Sequence, residues 1–103
     1  MKFVIAWTTR SGGSAAETEA AVPRVLALLS NWAPPGDETF HQFLVRADGN
    51  GGFAVIETDN LAGLALTHYK FAPYLDFSVY PVLEVQEGTA LIGEAIDFRK
   101  SIT

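Results

Sequence analysis

The stretch that most constrains the fold is residues 40–58, FHQFLVRADGNGGFAVIET, in which two apolar runs flank a glycine-rich segment. That segment contains an Asp-Gly pair at Asp48-Gly49 and an Asn-Gly pair at Asn50-Gly51. Such pairs supply the positive φ angles that tight hairpin turns need. The stretch therefore predicts a β-hairpin. The alternative, a phosphate-binding loop, lacks the lysine and the following helix that such loops use.

The two strands of the hairpin differ in polarity. Phe53–Ile56 is a continuous apolar run, which is typical of a strand buried on both faces. Phe40–Ala47 mixes apolar and polar residues, which favours a strand at the edge of the sheet or facing a cavity. The hairpin is thus predicted to contribute one central strand and one edge strand.

A four-residue loop would place Ala47 opposite Gly52 and so define the register of the hairpin. That register predicts three cross-strand pairs: Gln42 with Glu57, Arg46 with Phe53, and His41 with Thr58. Because side chains alternate between the faces of a sheet, Gln42, Arg46 and Glu57 would share one face and His41 would lie on the other.

The first helix is predicted to open at Ser14, with Glu17 completing a capping box. Pro23 falls in its middle, where proline removes a hydrogen bond at a cost of ~3 kcal/mol, so we expect a kink or two short helices. Pro34-Pro35-Gly36 ends the helix. Apolar residues at helical spacing predict a core-facing stripe formed by Val22, Val25, Leu26, Leu29 and Trp32.

The remaining elements follow from similar patterns. The predicted ranges are a first strand over Lys2–Thr8, a second helix over Leu61–Lys70, a fourth strand over Phe77–Val85 and a last helix over Thr89–Arg99. The second helix has Leu61, Leu64, Ala65 and His68 on one face. Pro81 cannot donate to a ladder, so the fourth strand is predicted at an edge.

The order β-α-β-β-α-β with an extra C-terminal helix predicts a single α+β domain over residues 1–103. Right-handed crossovers give a ferredoxin-like split sandwich with the first and third strands central and two helices on one face. The other face stays apolar, and one layer cannot bury it. We therefore expect a homodimer, packed sheet to sheet as a dimeric α/β barrel with a cavity between the sheets. Alternatively, the C-terminal helix covers the open face or reaches across to the partner.

Composition excludes several classes of function. The chain has no cysteine, and its formal charge of −5 comes without a basic run. A nucleic-acid partner is therefore not expected, because binding to phosphates needs a positive face. No apolar run approaches the length of a membrane span or a signal-peptide core. We expect a soluble, cytoplasmic protein with no membrane partner.

Four pieces of the sequence carry a resemblance to a known family: FVIAWT at the start, PPG at residues 34–36, DGNGGFAVIETD from Asp48 to Asp59, and YLDFSVYPVLE from Tyr74 to Glu84. The chain resembles a small bacterial family known only as a domain of unknown function, within the dimeric α/β-barrel superfamily. The resemblance implies a ferredoxin-like fold and a dimer. It leaves the activity open, since relatives in that superfamily include cofactor-free oxygenases, lactone isomerases, polyketide cyclases, haem-degrading enzymes and ligand-sensing domains.

Three residues are candidates for proton transfer: His41, His68 and Glu57. Both histidines have a plainer interpretation, since His68 on a helix stripe suits a hydrogen-bonded core residue and His41 suits the surface. The resemblance also admits axial haem ligation by His68. Two histidines without cysteine supply no metal cluster of characteristic spacing. We therefore expect no metal and no cofactor.

The candidate ligand-binding residues are Trp7, Gln42, Arg46, Phe53 and Tyr80. Arg46 with Glu57 could orient a polar group, and the aromatic rings, with Phe77, could line a flat apolar pocket. The alternatives are a solvated ion pair and an ordinary core or dimer interface. The first hypothesis is a dimer that binds a small, largely apolar or aromatic molecule. The second is a cofactor-independent oxygenase, isomerase or cyclase acting on an aromatic or polyketide-like substrate. The third is a structural or regulatory dimer without a ligand.

Overall fold

The computed structural model describes residues 1–10 and 13–102 and has an α+β architecture. Its elements are β1 (Lys2–Thr9), α1 (Ala15–Ser30), β2 (Thr39–Val45), β3 (Gly51–Glu57), α2 (Leu61–Phe71), β4 (Leu75–Val82) and α3 (Val85–Ser101). The four strands form one antiparallel sheet in the order β2-β3-β1-β4. This arrangement is consistent with a ferredoxin-like fold. The predicted central positions of β1 and β3, and the edge position of the proline-containing β4, are confirmed.

The hydrophobic core lies between one face of the sheet and the helix α2, and no residue of α1 is fully buried. The buried members of the core are Phe3, Ile5, Ala54, Ile56 and Leu64. Leu64 comes from α2, and the other four alternate along the two central strands. Thus the apolar runs of β1 and β3 supply the sheet side of the core, as period-two alternation requires.

The hairpin turn has the predicted chemistry, with positive φ at Gly49 (75°) and Gly51 (143°). The predicted register is wrong, because Val45 rather than Ala47 lies opposite Gly52. The connection is longer than four residues, with the Arg46 backbone N–H donating to the Gly51 carbonyl at 2.8 Å. As a result Gln42 lies opposite Val55, and Leu44 rather than Arg46 lies opposite Phe53.

A β-bulge between Phe40 and Gln42 is a second departure from the predicted register. Phe40 pairs with Ile56 and Gln42 with Val55, so His41 is the extra residue. Instead of lying on the face opposite Glu57, as predicted, His41 reaches it, with 2.9 Å between Nε2 and Oε1.

The first helix begins as predicted, with the Ser14 hydroxyl accepting from the Glu17 backbone N–H at 3.2 Å. It runs as one helix through Pro23, so the alternative of two short helices is wrong. The core-facing stripe is also only partly correct, because Val22, Leu26 and Leu29 are 50%, 57% and 43% exposed. Leu29 lines a pocket beside the packed core and is not part of the core cluster.

The second helix begins at an Asn60 cap, whose side-chain oxygen accepts from the Gly63 backbone N–H at 2.9 Å. Leu64 and His68 face the interior as predicted, whereas Leu61 is 62% exposed because it sits in the first turn, beyond the edge of the core.

The last helix is longer than predicted and begins at Val85, because β4 ends at Val82. Every residue of α3 is exposed except Gly88 and Gly93, which are half-buried. Within the described part of the chain, no helix is both long enough and apolar enough to cross a bilayer.

Candidate functional site

A pocket lies between the sheet and the two helices that cover it, with a cavity volume of about 70 Å³. The sheet contributes its helix-side residues, α1 contributes Leu29 and α2 contributes four side chains. The lining comprises Ile5, Trp7, Leu29, Trp32, Glu38, Phe40, Phe43, Ala54, Ile56, Leu64, Thr67, His68, Phe71, Leu75 and Phe77. Almost all of this surface is apolar, so the few polar groups within it decide what the pocket can recognise.

Six Phe and Trp rings line the pocket, and several of them pack against one another. Trp32 stands edge-on to Phe40 and Phe71, each with a centroid separation of 6.1 Å. Phe40 and Phe43 stack at 5.4 Å, and Phe43 meets Trp7 edge-on at the same separation. Residues 40 and 43 would lie on opposite faces of a regular strand. The bulge at residue 41 puts both rings on the helix side.

Glu38 is the unusual member of this pocket. Both of its side-chain oxygens are buried, and neither has a hydrogen-bond partner among the described residues. Burial raises the pKa of the Glu38 carboxyl above its usual range, and the neighbouring charge of Asp37 adds to that effect. A buried carboxylate without a partner costs free energy, which a ligand donor can recover.

The position of Glu38 is held from both sides. Its backbone N–H donates to the Pro35 carbonyl at 3.1 Å. The preceding residue, Asp37, accepts from the Asn60 amide at 2.8 Å, and Asn60 in turn caps α2. The PPG turn and the helix cap therefore place the carboxylate in the pocket without a side-chain partner of its own.

His68 supplies a second titratable group to the pocket. Its ring stacks on Phe77 with 4.5 Å between centroids and an interplanar angle of 22°. Burial lowers the pKa of the His68 imidazole, so the ring is neutral near pH 7. A neutral imidazole and a carboxyl of raised pKa are groups that can exchange a proton with a bound molecule.

The residues predicted to bind a ligand are divided between different surfaces. Trp7 lines the pocket. Gln42, Phe53 and Tyr80 lie on the opposite face of the sheet, as their cross-strand partners show. Arg46 follows the end of β2 and pairs with Asp48 in the hairpin turn, so the predicted Arg46–Glu57 pair does not form.

Of the three residues predicted to transfer protons, only His68 lies in the pocket. His41 and Glu57 form an exposed pair away from it, and the hydrogen bond from His41 lowers the pKa of the Glu57 carboxyl. This exposed ion pair accounts for both side chains without a role in proton transfer. No group of three or more His, Asp or Glu side chains within residues 1–10 and 13–102 is arranged to hold a metal ion.

Sequence reasoning missed Glu38. Next to Asp37, directly after the PPG turn, it has the pattern of a solvated loop acid. The one available signal is its neighbourhood, since Trp32, Phe40 and Phe43 flank it within a few positions.

The described residues of the single chain leave the sheet face opposite the helices uncovered. Leu44, Phe53 and Tyr80 on this face are 51%, 46% and 55% exposed, and Val4 and Val55 lie between them. At one end of this face Lys2 pairs with Glu84, and His41 pairs with Glu57. An apolar centre with charged groups at its margin is typical of an interaction surface.

Taken together, fold and pocket define a small α+β protein with an antiparallel sheet, an aromatic pocket beneath its helices and an uncovered apolar sheet face. The family model for a domain of unknown function, DUF3303, matches residues 1–96, so the chain belongs to that family. No curated protein matches the chain.

Proposed function

We propose that this protein binds a small, largely apolar organic molecule in the pocket between its sheet and the helices α1 and α2. The observation that carries the proposal is the Glu38 carboxyl, whose two buried oxygens have no protein partner among the described residues. Leaving such a group unsatisfied costs about 1–3 kcal/mol. A ligand that donates an O–H or N–H to it would remove that cost.

The shape of the pocket favours a flat ring. Trp32, Phe40 and Phe71 meet edge-to-face around it, and a bound aromatic ring would continue that packing. The cavity of about 70 Å³ is smaller than the ~150 Å³ that holds a benzene molecule, so binding requires the pocket to widen. Leu29 and Phe43, which are 43% and 49% exposed, mark the side on which it opens.

The test compares ring compounds that differ only in the donor. Phenol and aniline derivatives are titrated beside the matching methyl ethers and toluenes, with binding followed by NMR shifts of pocket residues. We expect the donors to bind at least ~10-fold more tightly to the wild type, which corresponds to about 1.4 kcal/mol for one hydrogen bond to a charged group. The Glu38→Gln variant should lose most of that preference.

The control is Glu94→Gln, which removes an exposed carboxylate of α3 and should bind as the wild type does. The proposal is wrong if no compound of the series shifts the pocket resonances. Glu38 is not the anchor if Glu38→Gln keeps the full preference for donors.

A second candidate function is a cofactor-independent oxygenase, isomerase or cyclase acting on an aromatic or polyketide-like substrate. It is favoured by the presence of Glu38 and His68 in one apolar pocket, with the pKa of the first raised and that of the second lowered. Turnover of an activated phenol that is lost in His68→Gln would support it. If compounds bind but are not turned over, only the first proposed function, ligand binding, remains supported.

The uncovered sheet face supports a dimer in which two copies pack sheet to sheet, and with it a place in the dimeric α/β-barrel superfamily. Leu44, Phe53 and Tyr80 are half-exposed in the single chain, and a second copy would cover them. This assembly leaves the pocket on the outer, helical side of each copy. The ligand site would then lie beneath the helices and not in the expected cavity between the two sheets. A dimer whose pocket stays empty would correspond to the third hypothesis, a structural or regulatory dimer without a ligand.

A further inference from the structure

Helix α3 carries an apolar stripe that the rest of the described chain leaves largely exposed. At about 100° per residue, its large apolar side chains fall within an arc of roughly 160°. Most of the charged residues, including Glu87, Glu94 and Asp97, lie on the other side. The stripe consists of Val85, Leu91, Ile92, Ala95, Ile96, Phe98 and Ile102, and its large members are between 38% and 82% exposed.

The shape of the molecule shows that α3 stands away from the body. The chain measures 62 × 32 × 23 Å and has a radius of gyration of 18.2 Å, whereas a compact chain of this length has about 13 Å. A 17-residue helix is about 26 Å long, which accounts for much of the excess. An isolated helix of this length is only marginally stable in water, and α3 packs little against the described strands and helices. Its amphipathic pattern therefore indicates a partner.

We propose that α3 is an arm exchanged between two copies of this chain, with its apolar stripe packed on the partner beside the partner's uncovered sheet face. The arm starts from a defined root, since the N-cap residue Glu84 pairs with Lys2 of β1 in the same chain. Its length of about 26 Å matches that of the strands, which at seven or eight residues span about 25 Å.

The available area supports a second copy as the occupant. Taking about 200 Å² for a fully exposed large apolar residue, the stripe and the open-face residues Leu44, Phe53 and Tyr80 offer roughly 1,000 Å² per copy. A stable interface of standard size needs about 800 Å² per partner. Each copy carries both an arm and an uncovered face, so a two-fold axis satisfies both at once. The inference does not depend on a ligand in the pocket.

The first test places one negative charge on either side of α3. Ile96→Asp interrupts the stripe, whereas Ala90→Asp puts the same charge on the polar side at an exposed position. By sedimentation velocity we expect a wild-type dimer, a dissociation constant raised at least ~100-fold in Ile96→Asp, and less than a threefold change in Ala90→Asp. Hydrogen exchange should show protected amides over 85–101 in the wild type and in Ala90→Asp, and rapid exchange in Ile96→Asp.

The second test separates exchange between chains from folding back within one chain. The sequence contains no cysteine, so Ser101→Cys gives a single position for a spin label near the end of α3. Labelled chains without ¹⁵N are mixed with ¹⁵N chains without a label. Broadening of sheet or helix amides in the ¹⁵N chains is the expected result.

Four outcomes would overturn the proposal: a monomeric wild type, broadening only when label and ¹⁵N share a chain, rapid exchange of α3 in the wild-type dimer, or equal dimer constants for the two aspartate variants. If Phe53→Glu dissociates the dimer while Ile96→Asp does not, the sheet-to-sheet dimer stands and the exchanged arm is wrong.

Discussion

At the scale of single residues, Glu38 combines a cost in stability with a capacity for recognition. Its neighbours are aromatic, and its carboxyl oxygens have no partner among the described residues. A protein selected only for stability would replace such a group, since an isosteric amide avoids the buried charge. Buried polar groups are normally hydrogen-bonded, and sites that depart from this rule are where a function is expected.

The pH dependence of Glu38→Gln tests this trade-off. Burial raises the pKa of Glu38 in the folded state above the 4.5 of the unfolded chain, so the folded state binds the proton at higher pH. The ionised carboxylate therefore destabilises the fold above the folded-state pKa, and this cost disappears as the pH falls through it to below 4.5. We expect Glu38→Gln to be more stable than the wild type at pH 7, and we expect this difference to shrink to nothing as the pH falls below about 4.

The measurement is urea unfolding from pH 3 to pH 8 for the wild type, Glu38→Gln and the exposed control Glu19→Gln. Burial lowers the pKa of His68 from 6.5, so all three proteins lose stability as the pH falls below that value. That loss cancels in the difference between variants. A pH-independent difference, or a Glu19→Gln variant that behaves like Glu38→Gln, would contradict the assignment to Glu38.

At the scale of elements, the hairpin shows what decides a strand register. The residue types of the turn predict its glycines with positive φ, but the loop length and the bulge at His41 shift every pair. Together, the longer loop and the bulge bring Phe40 and Phe43 against Trp7 and Trp32 on the helix side. Burial of those rings outweighs the cost of one unpaired residue, since each aromatic ring buries about 150–250 Å².

Gly52 tests the close approach of the strands at that point. It lies opposite Trp7, and a Cβ there would collide with the Leu44 carbonyl oxygen and the Trp7 ring. We expect Gly52→Ala to destabilise the protein by about 1–3 kcal/mol, as an overpacked core does. At Gly36 a Cβ would meet no atom within 4 Å, so Gly36→Ala is the matched control and should change stability by less than about 0.5 kcal/mol. The thermal unfolding midpoints of the two variants are compared. Equal midpoints would contradict the prediction and show that the strands relax to admit the added methyl group.

At the scale of the whole molecule, a single chain leaves apolar surface on its open sheet face and on α3. The family match over residues 1–96 covers the whole sheet and most of α3. The open sheet face and the α3 stripe as far as Ile96 therefore belong to the matched family domain, whereas Phe98 and Ile102 lie beyond the match. Burying these surfaces requires association with another molecule, because folding of the single chain leaves them exposed.

Two glutamate variants separate the open sheet face from other exposed apolar positions. Phe53 on the open face is 46% exposed and Leu66 on α2 is 55% exposed. In a monomer Phe53→Glu and Leu66→Glu would be tolerated alike. In a sheet-to-sheet dimer Phe53→Glu should raise the dissociation constant at least ~100-fold, because a charge would be buried without a partner.

Sedimentation equilibrium measures the dissociation constants of both variants. The wild-type melting temperature should also rise with protein concentration, as it does when association is linked to folding. A melting temperature independent of concentration, together with two monomeric glutamate variants, would remove the sheet-to-sheet dimer.

The sequence by itself determined the order of the elements, the central and edge strands, the capped start of α1 and the chemistry of the hairpin turn. These features depend on alternation, turn residues and caps, which act over a few positions along the chain. Only the tertiary structure decided the register, the bulge, the pocket around Glu38 and the separation of Trp7 from Phe53 and Tyr80. Those features depend on which distant side chains meet and how much area they bury, and a local pattern does not contain that information.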